Sequence, residues 1–424
     1  MSTVGEILEV RCDDIDILGQ GVCKTDGPVI FVPGMIDGEK ASVRLVEIKK
    51  RHAKAVIGTL LEKSPERVSD TPSLQSTDMV HISFERRMRW QTEKTIEAFS
   101  RIAGLDIVPE DVITDFRQQH YRNKSVFHVI RGPFITLGLY TFMNAGLVRT
   151  DGFVLSDAMT NTVIRAINES RIPSGRGLVR HVVIRTNEHG EALVTLVTSD
   201  PGDAAVDALV RLVSAVDGVV GVMANIHFDR TMILKGRSKV LWGDNALSVT
   251  SGDVRIMLSD TAFFQINTGV ARLTYEKIRD ALHNSHSAID AYSGVGAIGF
   301  ALSRDVDKIV MVDASQENVR LARRTAKEHG LSGIRAVRER FETMEWPEAD
   351  TLIVDPPRNG LMPAAVERIV AHPFRTMVYL SCDLGTLARD ISGLKEVYTV
   401  KAVYPVLMFP GTSSVETLTI LERK

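Results

Sequence analysis

The residues best suited to chemistry in this 424-residue chain gather towards its C-terminus. Val378-Tyr379-Leu380-Ser381 is a short apolar run of the kind that forms a buried strand, and it stops at Cys382-Asp383. Helical spacing resumes from Leu384 to Ile391, so Cys382 is expected on a strand-to-helix turn, where open α/β sheets keep reactive groups. A thiol beside a helix N-terminus feels the positive end of the dipole, which favours the nucleophilic thiolate. Taken alone, a cysteine would as readily pack as a small hydrophobe. Further on, Glu416 lies between apolar neighbours just before a last β-rich run. Partial burial there would raise its pKa towards that of a working base, although by itself it reads equally as an exposed carboxylate on an edge strand.

A second group of residues reads as a ligand site. Ser287–Asp290 ends a strand, and Ala291-Tyr292-Ser293-Gly294-Val295-Gly296-Ala297-Ile298-Gly299 turns into a helix. Asp313, at the end of the next apolar run, is placed to accept hydrogen bonds from ribose hydroxyls. Gly294 to Gly299 also fits a dinucleotide fingerprint, so an NAD-dependent dehydrogenase is a competing reading. Two features favour S-adenosylmethionine and a methyltransferase. Asp290, immediately before the glycine turn, would repel a pyrophosphate but suits a cationic ligand. Thr351-Leu352-Ile353-Val354-Asp355-Pro356-Pro357-Arg358 is a strand ending in a carboxylate and two prolines, which fix the backbone and remove its N–H groups. Pro356 and Pro357 would line a pocket for a flat base, Asp355 would face the cofactor, and Arg358 would meet a phosphate or the cofactor side.

A nucleophile beside a sulfonium donor narrows the chemistry. Carbon 5 of a pyrimidine attacks a methyl sulfonium poorly until a thiolate adds at carbon 6 and makes an enolate, which is covalent catalysis. A base must then remove the carbon 5 proton so that the thiol can leave. Cys382 and Glu416 are the candidates for those two roles.

The elements that must position these residues follow a change of pattern near Ser259. Beyond it, helices alternate with β-rich runs, as in a parallel sheet with crossover helices, so 260–424 is expected to be a Rossmann-like α/β domain. Residues 1–62 hold short β-rich segments at a spacing that predicts a small barrel. Its stretch from Lys40 to Lys54 has six basic residues, Lys49, Lys50 and Arg51 among them, against one acid. Such a stripe either tracks a phosphate backbone or discourages sheet pairing. Residues 62–73 read as a linker, and 84–103 as a helix with Arg86, Arg87, Arg89, Trp90 and Lys94 in its first half, a candidate grip on RNA. Residues 80–259 are expected to form a central α/β domain serving as a substrate platform.

With 44% hydrophobic and 25% charged residues, the composition is that of a globular chain. The start lacks signal-peptide features and no apolar run has membrane-spanning length, so a cytoplasmic, membrane-free monomer is expected. Cys12, Cys23 and Cys382 have no spacing for a disulfide framework, a metal site or an iron–sulfur cluster. The net charge of −2 leaves any nucleic-acid affinity to local basic patches.

Taken in order, Gly34-Met35-Ile36-Asp37-Gly38-Glu39, Tyr121-Arg122-Asn123-Lys124, Phe263-Phe264-Gln265-Ile266-Asn267, Asp290 to Gly296, Asp355-Pro356-Pro357-Arg358, Ser381-Cys382, and Met408-Phe409-Pro410 with Val415-Glu416 resemble the RNA uracil-5 methyltransferases. Those enzymes act on transfer or ribosomal RNA and carry an N-terminal TRAM barrel, and the likeness covers nearly the whole chain. It implies Cys382 as nucleophile and Glu416 as proton acceptor. It further implies Gln265, Tyr292, Gly294, Asp313 and Asp355 at S-adenosylmethionine, with Pro356, Pro357, Arg358, Lys49, Lys50, Arg51, Arg122 and Lys124 towards RNA. Many members bind an iron–sulfur cluster through a Cys-Gly-Gly-Cys core. Leu74-Gln75-Ser76-Thr77 stands in its place here, which makes this a cluster-free, metal-free member. Asp383 replaces a usual asparagine, Leu407 a frequent aspartate, and Gly411 and Ser414 common histidines. A carboxylate at 383 would oppose thiolate formation unless paired or turned away. It motivates two other readings: an RNA-binding or folding factor with little catalysis, and a cytosine-C5 methyltransferase, although the Pro-Cys or Thr-Cys setting common in cytosine enzymes is missing.

Overall fold

The computed structural model describes residues 3–70, 72, 74–229 and 231–424. The N-terminal region is a curled six-stranded sheet: β1 (Ile7–Arg11), β2 (Asp14–Ile15), β3 (Gln20–Cys23), β4 (Val29–Pro33), β5 (Lys40–Ile48) and β6 (His52–Glu62), in the order β1-β5-β6-β4-β3-β2. The curl makes a half-barrel, with β1 and β2 as its edges. Period-two alternation turns Val43, Leu45, Ala53 and Ala55 into its small core, where Cys12 and Cys23 are also buried.

Helix α1 (Phe84–Ala98) starts at Ser83, whose hydroxyl accepts from the Arg86 N–H, and runs into a π turn over Phe99–Ala103. This helix does not offer the RNA grip expected of it. Trp90 is 1% exposed and donates from Nε1 to the Asp16 carbonyl at 3.2 Å. Arg86 pairs with Asp37 and Glu93, Lys94 with Asp14 and Glu97, Arg89 with Glu66, and Arg87 donates to Gln118. Arg86 and Lys94 thus fasten the N-terminal module to the helix, and Arg89 ties the helix to the segment after β6. Trp90, Phe99 and Ala103 belong to the same buried cluster as Ile15, Ile36 and the C-terminal sheet.

The central sheet consists of β7 (Lys124–Ile130), β8 (Thr136–Tyr140), β9 (Leu147–Arg149), β10 (Val179–Thr186), β11 (Ala192–Thr198), β12 (Val219–Ile226) and β13 (Arg237–Gly243), ordered β13-β12-β11-β10-β7-β8-β9. One face packs on α2 (Ala158–Glu169) and α3 (Ala204–Ser214) through Phe127, Val182, Ile184, Val194 and Leu209. The hairpin β14 (Ala246–Ser251) and β15 (Val254–Ser259) was expected with this domain, yet Val249, Val254, Ile256 and Leu258 pack in the core of the C-terminal half.

That half alternates α4 (Thr268–Ala281), β16 (Ser287–Ala291), α5 (Ala297–Ala301), β17 (Lys308–Asp313), α6 (Gln316–Glu328), β18 (Ile334–Arg338), β19 (Thr351–Val354), α7 (Pro363–Ala371), β20 (Thr376–Ser381), α8 (Leu384–Leu394), β21 (Tyr398–Val406) and β22 (Glu416–Arg423). The sheet order is β18-β17-β16-β19-β20-β22-β21, parallel from β18 to β20 and antiparallel at β22 and β21. The strand order reverses between β16 and β19, and a crevice at the carboxyl ends of the strands there is the ordinary ligand site of such a sheet.

Candidate active site

A cleft of about 540 Å³ opens at that crevice, and each strand end delivers one functional side chain to it. Asp290 lies in β16, Asp313 ends β17, Asp355 follows β19, and Cys382 follows β20. Glu416 arrives from the other direction. Because β22 is antiparallel to β20, its first residue sits where β20 ends: Ser381 pairs with Thr417, and Cys382 and Glu416 are the next positions at the same edge. Both line the cleft.

The electrostatics are dominated by carboxylates. Among the described lining residues, Arg358 at the exposed rim is the cation set against Asp290, Asp313, Asp355 and Glu416. Glu416 is 2% exposed, and burial followed by the charge of Asp355 pushes its carboxyl well up; a hydrogen bond from Gln265 opposes this. Burial likewise pushes Asp355 up. Gln265 Nε2 lies 3.5 Å from Asp355 Oδ2, so one amide serves both acids. The thiol departs from expectation. The start of α8 was expected to lower its pKa, but burial, Glu416 and Asp355 raise it, with Arg358 pulling the other way. Desolvation by a half-buried, acid-lined cleft outweighs a helix dipole worth about 1 kcal/mol.

Asp383 has a definite task. It is the N-cap of α8, and its Oδ1 accepts from the Thr386 N–H at 2.8 Å. A capping oxygen is supplied as well by aspartate as by asparagine, so this residue gives no reason to doubt catalysis.

The glycine turn is strained where the cofactor reading needs it. Tyr292 has a φ of +60°, uncommon for a bulky residue, and its hydroxyl donates to Glu342 at 2.8 Å. Gly296, at φ +89°, would bring a Cβ to 2.5 Å from the Met311 sulfur, so only glycine lets the turn press on β17. The Gly294 N–H donates to Asp313 Oδ2 at 3.0 Å, and Asp313 Oδ1 accepts from the Ser315 N–H and the Asn318 amide. Asp290 is fully buried: Oδ2 accepts from the Gly299 N–H at 3.0 Å, while Oδ1 has no hydrogen-bond partner among the described residues. Burial pushes its carboxyl up to about 7. A buried, unpartnered carboxylate oxygen in a cation-poor cleft is a fit for a ligand that carries an ammonium and a sulfonium.

Not every expected residue gathers here. Pro356, Pro357 and Arg358 line the cleft together with Gln265, Tyr292, Gly294, Asp313, Asp355, Cys382 and Glu416. Lys49, Lys50 and Arg51 are exposed at the β5–β6 turn of the curled sheet, and Lys49 is paired with Glu47. Arg122 lies over the Phe153 ring, and Lys124 starts β7; neither lines the cleft. Their neighbour Asn123 does the local work, donating from Nδ2 to the Gln265 carbonyl at 3.0 Å and from its N–H to the Ile266 carbonyl. Residues that sequence reasoning left without a role in the cleft are Phe263, Tyr275, Asn318, Phe409 and Ser414. Phe263, 62% exposed at the mouth, stands beside Gln265 and carried a signal as a large apolar residue in a polar loop. Tyr275, buried inside α4, carried none. Among the described residues no cluster could hold a metal ion, and no helix is long and apolar enough to cross a membrane.

Comparison with known proteins places this geometry in a family. Residues 269–378 match the methyltransferase small domain, 344–424 the tRNA (Uracil-5-)-methyltransferase domain, and 1–57 the TRAM domain. An uncharacterized RNA methyltransferase of Caldanaerobacter subterraneus subsp. tengcongensis is 30% identical, over 99% of this chain and 99% of its own. Another, of Halalkalibacterium halodurans, is 29% identical over 99% and 97%. The fold is that of the Pyrococcus abyssi tRNA (uracil-54, C5)-methyltransferase solved in complex with S-adenosyl-L-homocysteine, with a TM-score of 0.79 and 22% identity, covering 98% of this chain and 100% of that one. A TRAM match ahead of a uracil-5 methyltransferase match, with a relative 30% identical along the whole chain, settles the family: the chain belongs to the RNA (uracil-5-)-methyltransferases, S-adenosylmethionine-dependent enzymes, as a member without iron–sulfur cysteines.

Proposed function

We propose that the chain methylates carbon 5 of one uridine in a folded transfer or ribosomal RNA, with Cys382 as nucleophile and Glu416 as the base that removes the carbon 5 proton. The observation that carries this reading is the β20–β22 register, which brings both side chains to one edge of one cleft. The family model over 344–424 is described by uracil-5 methylation of transfer RNA, which supports that base and that polymer.

S-adenosylmethionine supplies an electrophilic methyl group on a cationic sulfur. Asp290 Oδ1 would hold its ammonium, Asp313 its ribose hydroxyls, and Asp355 with Gln265 the side of the cleft next to the sulfonium. Pro356 and Pro357 present a rim without N–H donors to the flipped base, and flipping costs least in a loop. The Cys382 thiol gives up its proton to solvent and its sulfur bonds to carbon 6 of uracil, which moves the electron pair of the C5–C6 double bond to carbon 5; that carbon would take the methyl as the methyl's bond to the cofactor sulfur breaks. Glu416, buried and a stronger base than an exposed carboxylate, then accepts the carbon 5 proton. The electron pair of that C–H bond restores the ring double bond as the sulfur–carbon bond breaks.

Incubating the protein with cofactor and RNA tritiated at uracil carbon 5 tests the reading. Tritium release with 5-methyluridine in the digest is expected. An RNA mobility shift without release would favour an RNA-binding factor, and 5-methylcytidine alone would favour the cytosine reading.

A further inference from the structure

A second recess lies on the central sheet. The face of that sheet turned away from α2 and α3 carries Lys124 and His128 from β7, His181 and Arg185 from β10, and Tyr140 from β8. At its far end, a hollow of about 550 Å³ has His128, Tyr140 and His181 among its walls, with Arg131, Arg176 and Arg180 around them and no acid among its described lining residues. The rings meet edge to face: His128 to Tyr140 at 4.7 Å and His128 to His181 at 4.8 Å. Tyr140 is 37% exposed, and Arg131 is exposed on the β7–β8 turn.

Burial lowers the pKa of both histidines, His181 to about 4, so at neutral pH they are uncharged aromatic plates. The cations come from the rim. Arg180 is held in place by the His227 carbonyl at 2.6 Å, and Arg176 leans on Asp200 and Asp203. Gly177, at positive φ, faces open space, so the loop beside Arg176 leaves room there for a close approach. Uncharged rings on the floor with guanidinium groups at the edge form the usual arrangement for holding an unpaired nucleotide.

The recess also lies in line with the active site. Lys124 pairs with Arg185 across β7 and β10, and Arg185 donates to the Ala262 carbonyl, one residue before Phe263 at the cleft mouth. His128 is four residues along β7 from Lys124, roughly 13 Å at 3.3 Å per residue.

We propose that this recess is a second nucleotide subsite, in which one unpaired base of the RNA, outside the target uridine, stacks on the His128–Tyr140–His181 rings while its phosphate meets Arg131. It rests on the RNA-substrate reading above.

The test measures binding alone, by anisotropy, with fluorescein-labelled bulk transfer RNA and with labelled polyphosphate as a polyanion without bases. Tyr140→Leu and Arg131→Glu change exposed positions, and thermal unfolding checks that each still folds. Tyr140→Leu is expected to weaken RNA binding roughly tenfold, the scale of one lost stack, and to leave polyphosphate unchanged. Arg131→Glu should weaken both. RNA affinity within twofold of the unaltered protein in both variants overturns the subsite, and equal loss of both polymers in Tyr140→Leu overturns the stacking. No methyl transfer is read here, so tritium retention in the catalytic assay would remove the proposed chemistry without deciding this result.

Discussion

Asp78 and Ser413, 335 positions apart, are joined by two hydrogen bonds: the Ser413 N–H donates to Asp78 Oδ1 at 3.0 Å and its hydroxyl to Asp78 Oδ2 at 2.6 Å. Two more bonds hold the same loop, from the Met79 N–H to the Gly411 carbonyl and from the Tyr121 hydroxyl to the Pro410 carbonyl at 3.0 Å. The loop leads directly into Glu416. Gly411 is tight against this anchor, since a Cβ there would stand 2.9 Å from Val80 Cγ1.

Asp78→Ala should therefore act through Glu416. Displacing a reacting group by about 1 Å costs up to roughly a hundredfold, and the loss is expected in kcat with little change in KM for RNA. Asp78→Asn, which keeps an acceptor for Ser413, should recover most of it. A KM-only effect in steady-state assays would count against this linkage.

Cys382→Ala and Glu416→Gln should fail differently. Without the thiol no protein–RNA adduct forms. Without the base the adduct forms and is methylated but resolves slowly, with kcat down roughly 10²–10⁴-fold. Denaturing electrophoresis with labelled RNA separates the cases: a retarded band is expected for Glu416→Gln and none for Cys382→Ala.

The raised thiol pKa predicts slow alkylation. Cys12 and Cys23 are buried, so iodoacetamide should label Cys382 first. The rate should climb through a midpoint above the ordinary thiol value of about 8.5. Since the Glu416 charge contributes to the shift, Glu416→Gln should move that midpoint to lower pH. A midpoint at or below the ordinary value, by mass spectrometry across pH, would contradict the balance described here.

Asp290 ties stability to pH. Its folded pKa of about 7 exceeds an ordinary aspartate's, so the fold favours the protonated acid. The stability it contributes is complete below about pH 4 and is lost as pH rises through 7. Asp290→Asn should thus raise the thermal midpoint at pH 7.5, shrink the difference between pH 5.5 and 7.5, and abolish S-adenosylhomocysteine binding in calorimetry. A lower midpoint at pH 7.5 would show that the carboxylate is a net stabiliser.

Much of the cleft was legible because strand, turn and helix are written locally. Asp290, Asp313, Asp355 and Cys382 each close an apolar run, and a parallel sheet brings such ends to one edge. What was not legible depends on distant partners. Arg86 and Lys94 look like an RNA grip until Asp37 and Asp14 are seen to pair with them. The thiol pKa could not be inferred from the start of α8, because the opposing charge comes from other strands. Asp383 looked like a liability only while its capping bond to Thr386 was out of view.

Ile15 of β2 and Ile36 of the β4–β5 loop lie in one buried cluster with Trp90, Leu352 and Tyr379. A module sewn into its neighbour's interior cannot swing on a tether, so the span from Lys50 to Cys382 is a fixed length. Cutting the chain after residue 62 would then bare an oily seam, and the remainder should clump before any question of RNA affinity arises.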